Sequence, residues 1–213
     1  MYLPAHFAQH DPQTLADLMR THPLATLVSS GPDGVTADHL PLEFDAESQT
    51  LRGHVARANP LWQVADGQAV LAIFGGEQAY ISPNWYASKA STHKVVPTWN
   101  YAVVHAHGRL RAVQDAPWVH QLVSRLTDHH EAAQPKPWAV SDAPDDYVQT
   151  MLRAIVGIQI PVQRLIGKWK LSQNRNSADR ESISQGLSQG DAAARAMANW
   201  LQAGGVQAKP GTD

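Results

Sequence analysis

Hydrophobic and polar positions change period several times along the chain. Between residues 11 and 22, Leu15, Leu18 and Met19 recur at three- and four-residue spacing, which predicts an amphipathic helix. Asp11 suits its cap and Pro12 its first turn, and Pro23 ends it. Alternation at period two follows. Residues 24–30 and 35–44 predict the arms of a hairpin around Gly31-Pro32-Asp33-Gly34, and residues 51–57 a third strand. A short helix is expected over 59–66, with Asn59 as cap and Pro60 at its first position. Residues 69–76 have the length of a buried strand, and 79–86 predict another close behind it. Two strand-like stretches cover 100–107 and 109–113. Asp115-Ala116-Pro117 opens a helix in which Trp118, Leu122 and Leu126 sit four apart. A third helix is expected over 145–154, strands again over 155–173, a terminal helix over 186–201, and a flexible tail over 204–213.

Seven or eight short strands joined by tight turns, with helices at their edges, predict an α+β fold built on one antiparallel barrel. No repeat or boundary interrupts it, so residues 1–203 are expected to form a single domain. Composition narrows the function. The 213 residues carry 17 basic and 19 acidic side chains, a net charge of −2, and 17% are charged, against about 25% in an average domain. A protein that grips DNA through many phosphates ordinarily shows a basic excess. The chain holds no cysteine, which excludes disulfides, thiolate zinc and iron–sulfur sites. Its first residues lack the basic and apolar regions of a secretory signal, and no apolar run is long enough to span a bilayer, so a cytoplasmic location is expected.

Three clusters carry candidate chemistry. In GHVARANP, residues 53–60, a strand bearing His54 and Arg57 leads through Asn59 into a helix start, an arrangement suited to an anion. In VPTWNY, residues 96–101, Thr98, Trp99 and Asn100 combine a planar ring with short hydrogen-bonding groups, as a polar heterocycle requires. In GKWKLSQNR, Lys168 and Lys170 share one strand face opposite Trp169 and Leu171, and Ser172, Gln173 and Asn174 form a donor-rich exit. His105 and His107 share a strand face but lack a third ligand, so no metal site is expected. Nucleotide-binding glycine loops, hydrolase elbows and a helix-turn-helix are missing.

The segments MYLPAHF, ADHLPLEF, GHVARANPLW, AIFGGEQAYISPNWY, VPTWNYAVVHAHG and KLSQNR occur in this order in PaiB-type proteins. The chain resembles that family from residue 1 to about 187: FMN-binding negative transcriptional regulators of the flavin split-barrel fold. The resemblance implies FMN as cofactor and a homodimer with each FMN in a groove between subunits. It implies that Arg57, with His54 and Asn59, holds the phosphate, and that residues 37–42 present backbone groups to the isoalloxazine edge. Thr98, Trp99 and Asn100 would line the ring or ribityl chain, and Lys170, Ser172, Gln173 and Asn174 would close the site. Gly75-Gly76 stands where relatives have Gly-Pro. The family is named for repression, yet neither charge nor motif supports direct DNA binding. Two alternatives share the fold: a flavin reductase or other FMN-dependent oxidoreductase, and a haem-binding barrel in which His105 or His107 reaches iron. No catalytic residue is assigned.

Overall fold

The structure is a computed structural model, and it describes residues 1–32 and 34–202. Strand β1, Ala8–Gln9, leads into helix α1, Pro12–Thr21. The Asp11 carboxylate caps this helix, accepting from the Thr14 amide at 2.7 Å, and Leu15, Leu18 and Met19 form its buried stripe. The hairpin follows as β2, Leu24–Gly31, and β3, Gly34–Pro41. Gly31 pairs with Gly34, so the connection is two residues long, and Gly34 takes φ 106°, a left-handed value that favours glycine. The second arm is shorter than expected. Its last residues leave the hairpin after Pro41 and re-pair as β4, Glu43–Asp45, with β5, Thr50–Ala56. Helix α2, Leu61–Val64, is a single turn.

The strands expected over 69–76 and 79–86 are one, β6, Ala69–Ile81. Gly75-Gly76 does not break it, because neither glycine has positive φ. A Cβ at Gly76 would meet Leu18 at 3.0 Å and Trp200 at 3.1 Å, so this glycine serves close packing rather than a turn. After α3, Lys89–Thr92, come β7, Thr98–Arg109, and β8, Arg111–Val113. Helix α4, Ala116–Glu131, is capped by Asp115, which accepts from the Trp118 amide at 2.8 Å. Helix α5, Asp145–Arg153, feeds β9, Ile155–Lys170, which runs unbroken through Pro161. The single terminal helix expected is two: α6, Ser177–Ser188, and α7, Ala192–Gln202. Gly190 interrupts them and Asp191 recaps the chain, accepting from the Ala194 amide at 2.9 Å. The tail expected over 204–213 lies outside the described residues.

The strands form one antiparallel sheet in the order β3-β2-β6-β7-β9-β5-β4, with β1 and β8 also paired to β9. The chain divides into two compact units, joined through the long strands β6, β7 and β9. One comprises Met1–His22, Phe74–His105 and the chain from Ile166 onward. Its core contains Leu18, Met19, Phe74, Ile81, Val104, Ile183 and Met197, and Trp169 stacks on Trp200 at 6.1 Å. The other comprises Pro23–Ile73 and Ala106–Leu165. Leu27, Leu42, Leu51, Leu110, Leu122, Ile158 and Ile160 are sealed in its interior. Among the described residues no helix is long and apolar enough to cross a membrane.

The α4 face of β9 has no room for a side chain at Gly157, where a Cβ would lie 2.4 Å from the Trp118 ring. Gly157→Ala is expected to lower stability by about 1–3 kcal/mol through overpacking. Urea unfolding of the Gly157→Ala, Trp118→Ala double variant should show a smaller loss than the sum of the singles.

Candidate functional site

In the first unit the second and third clusters converge. Strand β7 alternates, with Asn100, Ala102, Val104 and Ala106 buried and the residues between them partly exposed. Thr98 and Asn100 therefore look toward the end of β9. The Lys170 ammonium donates to the Thr98 hydroxyl, and the Ser172 hydroxyl donates to Asn100 Oδ1 at 3.0 Å. Ser172 reaches this position with φ 60°, a strained value for a residue other than glycine. Asn100 is wholly buried, and its Nδ2 has no hydrogen-bond partner. Gln173 folds back on its own strand end, accepting from the Leu171 amide at 2.7 Å and donating to the Trp169 carbonyl at 2.5 Å. It acts as a brace for the turn that presents Ser172. Asn174 follows, exposed. Trp99 points the other way. It is 53% exposed and meets Tyr80 edge-to-face at 6.2 Å.

In the second unit the first cluster takes a different form from the expected anion cradle. The exposed Arg57 guanidinium donates to the carbonyls of Arg153 at 2.7 Å and Ile155 at 3.0 Å, and to Gln114 at 2.9 Å. Two of its five N–H groups thus clamp the turn between α5 and β9, a third holds Gln114 ahead of α4, and two remain. The cap position of α2 is Pro60 rather than the expected Asn59, which stands one residue earlier; Asn59 still accepts from the Leu61 amide at 2.8 Å, while its amide donates to Asp38 at 2.7 Å. A groove of about 610 Å³ runs beside this pair, with Ser29, Thr36, Ala37 and Pro60 in its lining. Asp38 was not foreseen; nothing in its sequence neighbourhood marks a partner 21 residues away. His54 lies directly across from Gly157, the residue covered by Trp118, so its ring sits on the α4 face of β5. Its Nδ1 is buried without a partner, and burial holds its pKa below the ordinary histidine value of 6.5.

Other polar groups are committed to structure. Lys168 is buried between the rings of Tyr101 and Tyr2 and donates to the Tyr2 carbonyl at 3.1 Å. The buried Asp179 carboxylate accepts from the Ser88 amide and hydroxyl at 2.8 and 2.9 Å, tying α6 to the loop before α3. His105 and His107 share the half-exposed face of β7, and burial and the Arg164 cation lower the His107 pKa. Among the described residues no three metal-ligating side chains come together.

A half-buried lysine–hydroxyl pair and the open Asn100 amide donor thus lie at the end of a strand in a split barrel. Residues 1–164 match the family model described as "Putative FMN-binding domain", and the chain belongs to that family. An uncharacterised protein of Aspergillus fumigatus is 32% identical, covering 88% of this chain and 90% of its own. "Protease synthase and sporulation protein PAI 2" of Bacillus subtilis is 30% identical over 88% of this chain and 89% of its own, which upholds the PaiB-type resemblance. Among solved structures, an FAD and haem binding protein of Mycobacterium smegmatis superposes with a TM-score of 0.56. It is 17% identical and covers 84% of this chain and 80% of that one, a likeness of fold.

Two outcomes follow from the second unit. Because the folded state disfavours the His54 proton, the unfolded chain binds it first as pH falls. The contribution of His54 to stability is complete above pH 6.5 and is lost as pH drops from there through the lowered folded value. Urea unfolding at pH 7.5 and pH 5 should show a smaller acid loss in His54→Gln than in the unaltered protein. Arg57→Ala should cost about 1–2 kcal/mol by releasing the turn at 153–155, with faster amide exchange confined to that turn.

Proposed function

We propose that this protein binds FMN and serves as a dimeric, cytoplasmic, flavin-dependent regulator. One observation carries the reading: the fully buried Asn100 amide, whose Nδ2 has no partner. A buried donor left unpaired costs about 1–3 kcal/mol, so its retention is accounted for by an acceptor arriving from outside. Flavin ring carbonyls and ring nitrogens are such acceptors, and the donor set at hand suits them. Asn100 Nδ2 would donate to the flavin edge while Ser172 fixes its other end. Lys170, held by Thr98, would place a cation beside the electron-rich part of the ring. Gln173 would keep the Ser172 turn in shape, and Asn174 would reach the ribityl hydroxyls. Arg57 keeps two guanidinium N–H groups that could take an anion, the role that the PaiB-type resemblance gives it for the phosphate. Bound FMN would supply redox chemistry, and the protein would supply position and charge.

Dimerisation is supported by the exposed apolar group of Trp99, Tyr80 at 47% and Val96 at 61%, a surface that a second copy would cover. The regulatory reading is supported by the Bacillus subtilis relative, whose name ties it to protease synthase and sporulation. With a net charge of −2, the regulator acts through a partner rather than by gripping DNA itself.

Titration with FMN, FAD and haemin, followed by absorption, tests the cofactor. FMN is expected to bind, with Asn100→Ala and Lys170→Met each weakening it about tenfold, ~1.4 kcal/mol. A Soret band with haemin in place of flavin bands, or unchanged affinity in both variants, overturns the assignment. Trp99→Glu should convert a dimer to a monomer in sedimentation; a monomeric parent protein refutes the dimer.

A further inference from the structure

Helices α4 and α5 and the loop between them leave an apolar groove of about 120 Å³ open at the surface, with Val123, Val148 and Leu152 at its base. Three large residues on its rim are strongly exposed: Trp138 at 48%, Tyr147 at 56% and Met151 at 43%. A protein surface rarely gathers aromatic and thioether side chains this way unless something covers them. The groove has room for one branched aliphatic or aromatic side chain.

Charge says what the occupant is. Residues 128–153 hold five carboxylates, Asp128, Glu131, Asp142, Asp145 and Asp146, against Lys136 and Arg153, a balance of −3. The whole chain carries −2, so this segment, which supplies most of the groove's lining, holds more than the net acidic excess, with the Arg57 guanidinium at one end on the Ile155 carbonyl. None of the five forms an ion pair among the described residues. Glu131, Asp142 and Asp146 accept only from backbone amides, those of Trp138, Ala139 and Tyr147, which satisfies their geometry without neutralising their charge. Such a rim repels nucleic acid and anionic lipid and attracts a cation. An apolar slot between two helices takes the ridge of a third, anchored by residues at i and i+4.

We propose that this face docks a basic amphipathic helix of a partner protein, with an apolar anchor in the groove and Lys or Arg residues against the acidic rim. Of the residues assigned to the flavin only Arg57 reaches this region, through the Arg153 and Ile155 carbonyls, and the variants below leave it intact, so the inference stands or falls apart from cofactor binding.

The test is fluorescence polarisation with the full chain and a labelled peptide of about 18 residues, composed of leucine and lysine in amphipathic helical order. Two controls accompany it: the same composition in an order that destroys the apolar face, and a leucine–glutamate version. The amphipathic lysine peptide is expected to bind at least about tenfold tighter than either control. Met151→Ser combined with Tyr147→Ser should weaken it about tenfold, by removing the anchor contacts. Asp145→Asn with Asp146→Asn should weaken it about threefold and flatten its salt dependence. Both side-chain pairs are exposed, and circular dichroism and FMN titration verify that each variant remains folded. Equal binding of the reordered peptide, or unchanged binding in the Met151, Tyr147 variant, overturns the proposal. So does cosedimentation with phosphatidylglycerol vesicles that the acidic rim fails to oppose.

Discussion

The structure depends on the backbone of β9. Its 16 residues from Ile155 to Lys170 pair with β5 and β8 at one end and β1 at the other, and β9 neighbours β7 in the sheet order. A strand that serves so many partners must expose hydrogen-bonding groups on both edges along its length, and its one proline limits where that works. Pro161 has no N–H to offer. It sits opposite Thr50, where the β5 ladder ends, and the next amide, Val162, takes over by donating to the Gln49 carbonyl at 2.8 Å. The two glycines of β9 are equally placed. Gly157 admits the Trp118 ring on one unit's surface, and Gly167 admits Leu15 in the other.

Beyond Lys170 the strand must stop, and the way it stops creates the polar site. Ser172 in a left-handed conformation turns its hydroxyl onto Asn100, and Gln173 satisfies the backbone groups the turn would otherwise orphan. The strain and the open Asn100 donor are the kind of local cost that a fold retains where a ligand repays it. The same economy separates roles between the two units. Arg57, the most attractive anion ligand on chemical grounds, commits two donors to the turn that launches β9 and a third to Gln114. Asn59 is shared between the Leu61 amide and Asp38.

The outer surface divides in a similar way. Exposed aromatic area on β6 and β7 comes from Tyr80 and Trp99, whereas that around α4 and α5 lies in a segment rich in carboxylates. The first is neutral in character and suits a like copy. The second selects by charge.

Local pattern determined much of this protein. The caps Asp11 and Asp115, the hairpin around residues 31–34, the outward face of β7 and the antiparallel barrel were legible because each rests on contacts within a few residues or on period alone, while the split-barrel class came from the family resemblance. The resemblance grouped Thr98 and Asn100 with Lys170 and Ser172, and in the structure these segments meet through the Lys170–Thr98 and Ser172–Asn100 hydrogen bonds. Tertiary structure decided what pattern leaves open. Gly75-Gly76 looked like a break but lies inside a strand, because helix packing over Gly76, unseen in sequence, demands the missing side chain. Lys168 is buried because tyrosines 67 and 166 residues away close over it. The commitment of Arg57, the partnership of Asp38 with Asn59 and the unpaired Asn100 amide are likewise long-range facts. A residue type states which hydrogen bonds a side chain can make; only the folded chain decides which of them are already taken.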